Sequence, residues 1–151
     1  MQYLVLLTSL LLGATATLVE QRQTSPQAQV SSFSAHTNLY DNGFSIGYDF
    51  EITGLVNTHC NYSDTTSGPT VPRVDLIDCE DPTVRWQFFH EPAPMGAPYR
   101  IVIIYTPATG AETYSQALQE TDFPEVTFIS IPKNGSVYVG EPKFDVYRVS
   151  D

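Results

Sequence analysis

The stretch Phe44 to Ile52, F-S-I-G-Y-D-F-E-I, constrains what this chain can fold into more than any other. Phe44, Ile46, Tyr48, Phe50 and Ile52 are apolar, and Ser45, Gly47, Asp49 and Glu51 between them are small or charged. This is a period of two, which places all the apolar side chains on one face of a pleated strand. At a helical period the same residues would scatter around the axis. A strand of this kind needs a core on one side and water on the other.

The flanking sequence repeats the message. Val30 to Ala35 reads as a short strand, and Asp41-Asn42-Gly43 is a strong hairpin signal. The first two strands are therefore expected to pair antiparallel. Thr53-Gly54 breaks the pattern, and His59 to Ser63 reads as a third strand carrying Cys60. Residues 63–73 have the composition of an exposed loop. Val74 to Ile77 then leads to Cys79, Asp81-Pro82 marks a turn, and Val84 to Phe88 resumes the alternation. Val84, Trp86 and Phe88 are expected to point inward.

Residues 91–98 hold three of the eleven prolines and cannot be regular structure. Tyr99 to Thr106 is apolar on both faces, as suits a central strand covered on both sides. Thr113 to Glu120 fits either a short helix or an edge strand. Val126 to Ile131, a Pro132-Lys133-Asn134-Gly135 turn, Ser136 to Val139 and a last strand from Lys143 to Val149 complete the chain. The expectation is an all-β fold, a single antiparallel barrel or sandwich of about eight to eleven short strands over residues 30–151.

The chain opens with an apolar run, Leu4 to Leu12, ending in Ala14-Thr15-Ala16. That is the pattern of a secretory signal peptide over residues 1–16. The run is shorter than the about 20 apolar residues needed to cross a bilayer. Residues 17–29 are polar and aperiodic and read as a disordered lead-in, with Arg22 as a monobasic processing point. The expected destination is extracellular.

Acid dominates the surface chemistry, with 17 Asp and Glu against 7 Lys and Arg for a net charge of −10. Such a surface repels phosphate backbones and anionic headgroups, so neither nucleic acid nor membrane is an expected partner. Cys60 and Cys79 are the two cysteines, and an even count in a secreted chain reads as a disulfide. Its loop of about 20 residues would contribute roughly 3 kcal/mol in the chain-entropy model. Zinc would need histidines at ligand spacing, and His36, His59 and His90 lie in distant segments. Neither a metal nor a cofactor is expected.

Catalytic constellations are equally sparse. Asp49 and Glu51 share a strand face, and Asp78, Glu80 and Asp81 cluster at the second cysteine, which keeps a carboxylate-dependent hydrolase in view. Asp49 and Glu51, however, fall on the face expected to meet solvent. A serine nucleophile elbow, G-x-S-x-G, does not occur. Trp86, Tyr99 and Tyr105 are candidates to line a cavity for a flat apolar ligand, and core packing is the competing role for the same rings. Two glycosylation sequons occur, Asn61-Tyr62-Ser63 and Asn134-Gly135-Ser136.

V-S-S-F-S-A at Val30 to Ala35, Y-D-F-E-I at Tyr48 to Ile52 and C-E-D-P-T-V-R-W-Q-F at Cys79 to Phe88 together resemble the Alternaria major allergen family of small secreted fungal proteins. The resemblance runs roughly from Val30 to Arg148, the last third only in strand rhythm. It implies an antiparallel β-barrel, a Cys60–Cys79 bridge and secretion by a filamentous fungus. It carries over no catalytic residue. It further implies an effector or allergen-like interaction protein engaging host extracellular defence proteins, or a carrier of small flavonoid-like ligands. With one cysteine pair, this chain departs from members with more cysteines, and no disulfide-linked dimer is expected.

Overall fold

The structure, a computed structural model, describes residues 28–40, 43–65, 73–90, 99–128 and 133–149. The expected signal peptide, nearly all of the lead-in, Asp41-Asn42, most of the 63–73 loop and the 91–98 loop lie outside these residues. The strands are β1 (Ala28–Tyr40), β2 (Gly43–Thr53), β3 (Thr58–Asp64), β4 (Val74–Asp78), β5 (Val84–His90), β6 (Tyr99–Tyr105), β7 (Glu112–Leu118), β8 (Glu125–Phe128), β9 (Lys133–Ser136) and β10 (Phe144–Arg148). One 3-10 turn, Glu120–Asp122, sits between β7 and β8.

Eight strands form an antiparallel sheet in the order β3-β2-β1-β10-β7-β6-β5-β4, curled into a nearly closed barrel. β8 and β9 form a separate hairpin. It leans on β1, where Ser136 N–H donates to Thr37 Oγ1 at 3.3 Å and, just past β9, Tyr138 N–H donates to Ala35 O at 2.7 Å. The expected all-β fold is thus the observed one.

β2 explains the interior. Ile46, Tyr48, Phe50 and Ile52 are all at most 1% exposed, while Asp49 and Glu51 face solvent. β2 is flanked by β1 and β3 along most of its length, so its apolar face turns wholly inward. Opposite it stand Val84, Trp86 and Phe88 of β5 and Ile101 and Ile103 of β6, each fully buried. Burial of each such side chain stabilises the fold by about 1.5–3 kcal/mol.

β1 solves a phase problem. Its apolar residues are spaced Val30, Phe33, Ala35, and no regular strand can bury a three-residue step followed by a two-residue step. A bulge absorbs the extra residue: Ser31 pairs with Glu51 but Ser34 with Asp49, leaving Ser32 and Phe33 opposite Phe50. Ser32 takes the left-handed conformation, φ 56°. Phe33 then points inward at 3% exposure, and its N–H turns to Pro142 O at 2.9 Å.

Three expectations need correction. Thr113 to Glu120 is neither helix nor edge strand: Glu112–Leu118 is β7, paired on both sides with β6 and β10. The Lys133-Asn134-Gly135 turn is instead strand, β9 paired with β8, with Asn134 opposite Thr127. β1 also begins at Ala28, inside the segment read as lead-in.

β6 is central, as expected, and both its faces are largely covered. Ile101 and Ile103 are fully buried inside, and Val102 on the outer face is 8% exposed.

Candidate functional site

The barrel has one seam, where β3 and β4 end the sheet order without pairing each other. The cysteines lie across it. Cys60, inward on β3, is bonded to Cys79, one residue beyond β4, with Cα atoms 4.4 Å apart. Cys60 is fully buried and Cys79 nearly so. Backbone bonds reinforce the junction: Glu80 N–H donates to His59 O at 2.9 Å, and Asp81 N–H to Thr58 Oγ1 at 2.9 Å.

His59 completes it from the outside. Strand alternation sends Cys60 inward and so turns His59 outward, beside Asp49 of β2. Its Nε2 lies 3.0 Å from Asp49 Oδ2 and its Nδ1 3.2 Å from Glu80 Oε1. The hydrogen bond to Asp49, then that to Glu80, holds the imidazolium above its ordinary pKa, with desolvation opposing. One side chain thereby spans β2, β3 and the connection after β4. Each ring nitrogen thus faces a carboxylate from a different segment, and the contacts tie those segments together.

The other carboxylates near Cys79 are engaged structurally. Asp78 takes Arg85 Nε at 3.1 Å, and Asp81 Oδ1 accepts from Thr83 N–H and Oγ1–H at 2.9 and 2.6 Å. Those Thr83 bonds hold the Asp81 carboxyl below its usual range. Asp49 and Glu51 both lie on the outer face, so the acid pair suggested by their spacing opens onto solvent. Among the described residues no group of His, Cys, Asp and Glu is arranged to hold a metal ion.

The three aromatic candidates share the inner face but do not converge. Trp86 is fully buried, edge-on to Phe50 at 4.9 Å and to Tyr48 at 5.6 Å. Tyr99 and Tyr105 stand at opposite ends of β6, about 20 Å apart along the strand. Tyr99 belongs to another part of the aromatic core, 4.3 Å from Phe123 and 5.8 Å from Phe88, with the His90 ring at 5.0 Å. From Trp86 the rings run on through Tyr48, Phe88, Phe123, Tyr138 and Phe33 to Phe50, each within 6 Å of the next. These rings form one connected aromatic cluster inside the barrel.

Comparison with family models, with curated proteins and with solved structures finds no match. Function therefore rests on the residues themselves. Of the two sequons, Asn61 is exposed on the outer face of β3. Asn134 is placed only by its strand, and its side chain lies outside the described set.

His59 is the residue that sequence reasoning missed. Its partners lie 10 and 21 positions away: the β2–β3 register, Glu51 opposite His59, brings Asp49 beside it, and the junction at the bridge, with Glu80 N–H donating to His59 O, brings Glu80. Alternation alone could have marked Asp49, Glu51 and His59 as outward, but it could not show that Glu80 closes the set.

Proposed function

We propose that this chain is a secreted, non-enzymatic interaction protein, which acts outside the cell through its outer surface. The observation that carries this reading is the aromatic core: the rings linking Trp86 to Tyr99 pack against one another on the inner face, which leaves the outer surface as the face to present to a partner. The Cys60–Cys79 bridge adds support, since such bonds persist in oxidising compartments. No helix among the described residues is long and apolar enough to cross a membrane. The signal-peptide pattern of residues 1–16 gives secretion as the compartment.

The likeness of its motifs to the Alternaria major allergen family gives the interaction a direction, toward host defence proteins in the extracellular fluid of a plant. The loops at residues 63–73 and 91–98 are the first surfaces to vary, because connections carry binding more often than the scaffold does. The test is affinity capture from plant extracellular fluid with the mature chain immobilised. Specific, saturable retention of a defence protein is expected, and retention no greater than on a reduced, unfolded control would end the proposal.

A carrier of flavonoid-like molecules is the second reading, and one observation directs it. Tyr99 is only partly buried and lies beside exposed His90, the two rings tilted at 53°, so a flat ligand would bind at this end of the barrel rather than around Trp86. Quenching of Trp86 fluorescence by bound flavonoid, abolished by Tyr99→Ala, would favour the carrier over the interaction protein.

A further inference from the structure

We propose that His59 is a proton-operated latch on the barrel seam, closed when the ring carries two protons and released when it carries one. The argument begins with donors. A neutral imidazole has one N–H, whereas an imidazolium has two. Asp49 Oδ2 and Glu80 Oε1 lie within hydrogen-bond reach of opposite ring nitrogens, at 3.0 and 3.2 Å. Only the imidazolium donates to both. Loss of one proton leaves a ring lone pair facing a carboxylate, and one of the two arms must let go.

The surrounding charges all push the same way. From β2 come Asp49 and Glu51, the latter directly opposite His59 in the register. From the connection after β4 come Glu80 and Asp81, and Asp78 at the end of β4 is bound by Arg85. On its own strand the outward neighbour is Asn61, which carries no charge. Protonated His59 therefore compensates several carboxylates, and its direction of pKa shift agrees.

What the latch controls follows from where it sits. β3 and β4 have no ladder between them, so this side of the barrel is held by the disulfide, two backbone N–H donations and His59. A group favoured in its charged form by the fold stabilises fully below its unfolded pKa, near 6.5, and ceases to do so as pH rises through the higher folded value. The seam is thus tight in acidic fluid and looser at neutral and alkaline pH. Since Cys60 is fully buried and Cys79 nearly so, opening of the seam speeds the reductant's access to the bridge. The latch couples external pH to the lifetime of the disulfide.

The experiment measures reduction of Cys60–Cys79 by a water-soluble phosphine in the full mature chain at pH 5 and pH 8. Each rate is divided by the rate for oxidised glutathione under the same conditions, which removes the reagent's own pH dependence. The ratio is expected to rise roughly three-fold between the two pH values in the wild type, the size of a partly exposed ion pair. In His59→Gln it should stay flat. Glu80→Gln, whose amide can accept from or donate to the ring and so pairs with it in either protonation state, should lose most of the rise and serves in place of His59→Gln if that variant does not fold. An equal rise in wild type and variant, or no rise in the wild type, overturns the proposal.

Discussion

Trp86 stands edge-on to Phe50, with ring centroids 4.9 Å apart and planes at 86°, and joins the two walls of the barrel, β5 and β2, at its centre. This is a favoured aromatic geometry, worth about 0.5–1.5 kcal/mol beyond the area buried. The indole Nε1–H nevertheless has no hydrogen-bond partner among the described residues. An unmet buried donor costs about 1–3 kcal/mol. Two substitutions separate these effects. Trp86→Ala should lose about 3–5 kcal/mol, as for other large buried aromatics. Trp86→Phe keeps a ring against Phe50 and removes the unpaired donor, so its loss should stay below about 1.5 kcal/mol. Urea denaturation followed by circular dichroism reads both, and a Trp86→Phe loss equal to that of Trp86→Ala would show that the indole's shape decides.

The bridge across the seam should matter more to stability than the side-chain contacts beside it. Cys60 and Cys79 are 19 positions apart, and closing a loop of that length stabilises by about 3 kcal/mol in the chain-entropy model. The double variant Cys60→Ala, Cys79→Ala should lose about that much in denaturant titrations. A change within experimental error would mean that the seam is held without the bond.

Much of this fold could be read from spacing. Ile46 to Ile52 and Val84 to Phe88 follow a period of two, and the structure buries the residues that the period selects. The inward Phe33 was harder, because the step from Val30 breaks the period and only a bulge at Ser32 restores it. Asn134-Gly135 misled for a physical reason: it is good turn chemistry, but pairing with β8 prevailed over local preference. Glu112–Leu118 is ambiguous because Gln116 shares the face of buried Tyr114 and Leu118 while Ala117 lies on the other, which blurs the alternation, and its second neighbour, β10, comes from the far end of the chain. Of the His59 clamp, alternation marks only that Asp49 and His59 face outward. The clamp depends on β3 and β4 meeting across the barrel, a relation between segments that no local pattern encodes.

Asn61 should carry a glycan when the chain is made in a eukaryotic secretory host. Its side chain is exposed and points away from the core beside the buried Cys60. Treatment with an amide-cleaving glycosidase should lower the mass of the wild type, and Asn61→Gln should remove the Asn61-linked part of that change. An unmodified Asn61 by peptide mapping would show that strand formation at Cys60 outpaces the transferase. Because β3 ends the sheet, the glycan would also shield an edge that would otherwise invite pairing with another chain.

Alkali should unfold the barrel by way of its tyrosines. Burial pushes the Tyr114 phenol up to about 12, aided by its hydrogen bond to Glu112 at 2.6 Å. Tyr138 is likewise raised to about 12, chiefly by desolvation, and Tyr48, deep in the core, is raised further still. In the unfolded chain each phenol ionises near pH 10. Folding thus favours the protonated form, so the stabilisation is complete below pH 10 and is lost as pH climbs through the folded values. Absorbance at the tyrosinate band should show an early group of exposed phenols and a late group that ionises between about pH 10 and 12 together with the loss of near-ultraviolet circular dichroism. Tyr114→Phe removes one late phenol and its contact with Glu112, and should shrink the late amplitude while leaving the early group unchanged. Ionisation of every tyrosine in one step near pH 10, with the fold intact, would contradict the packing of Tyr48, Tyr114 and Tyr138 described above.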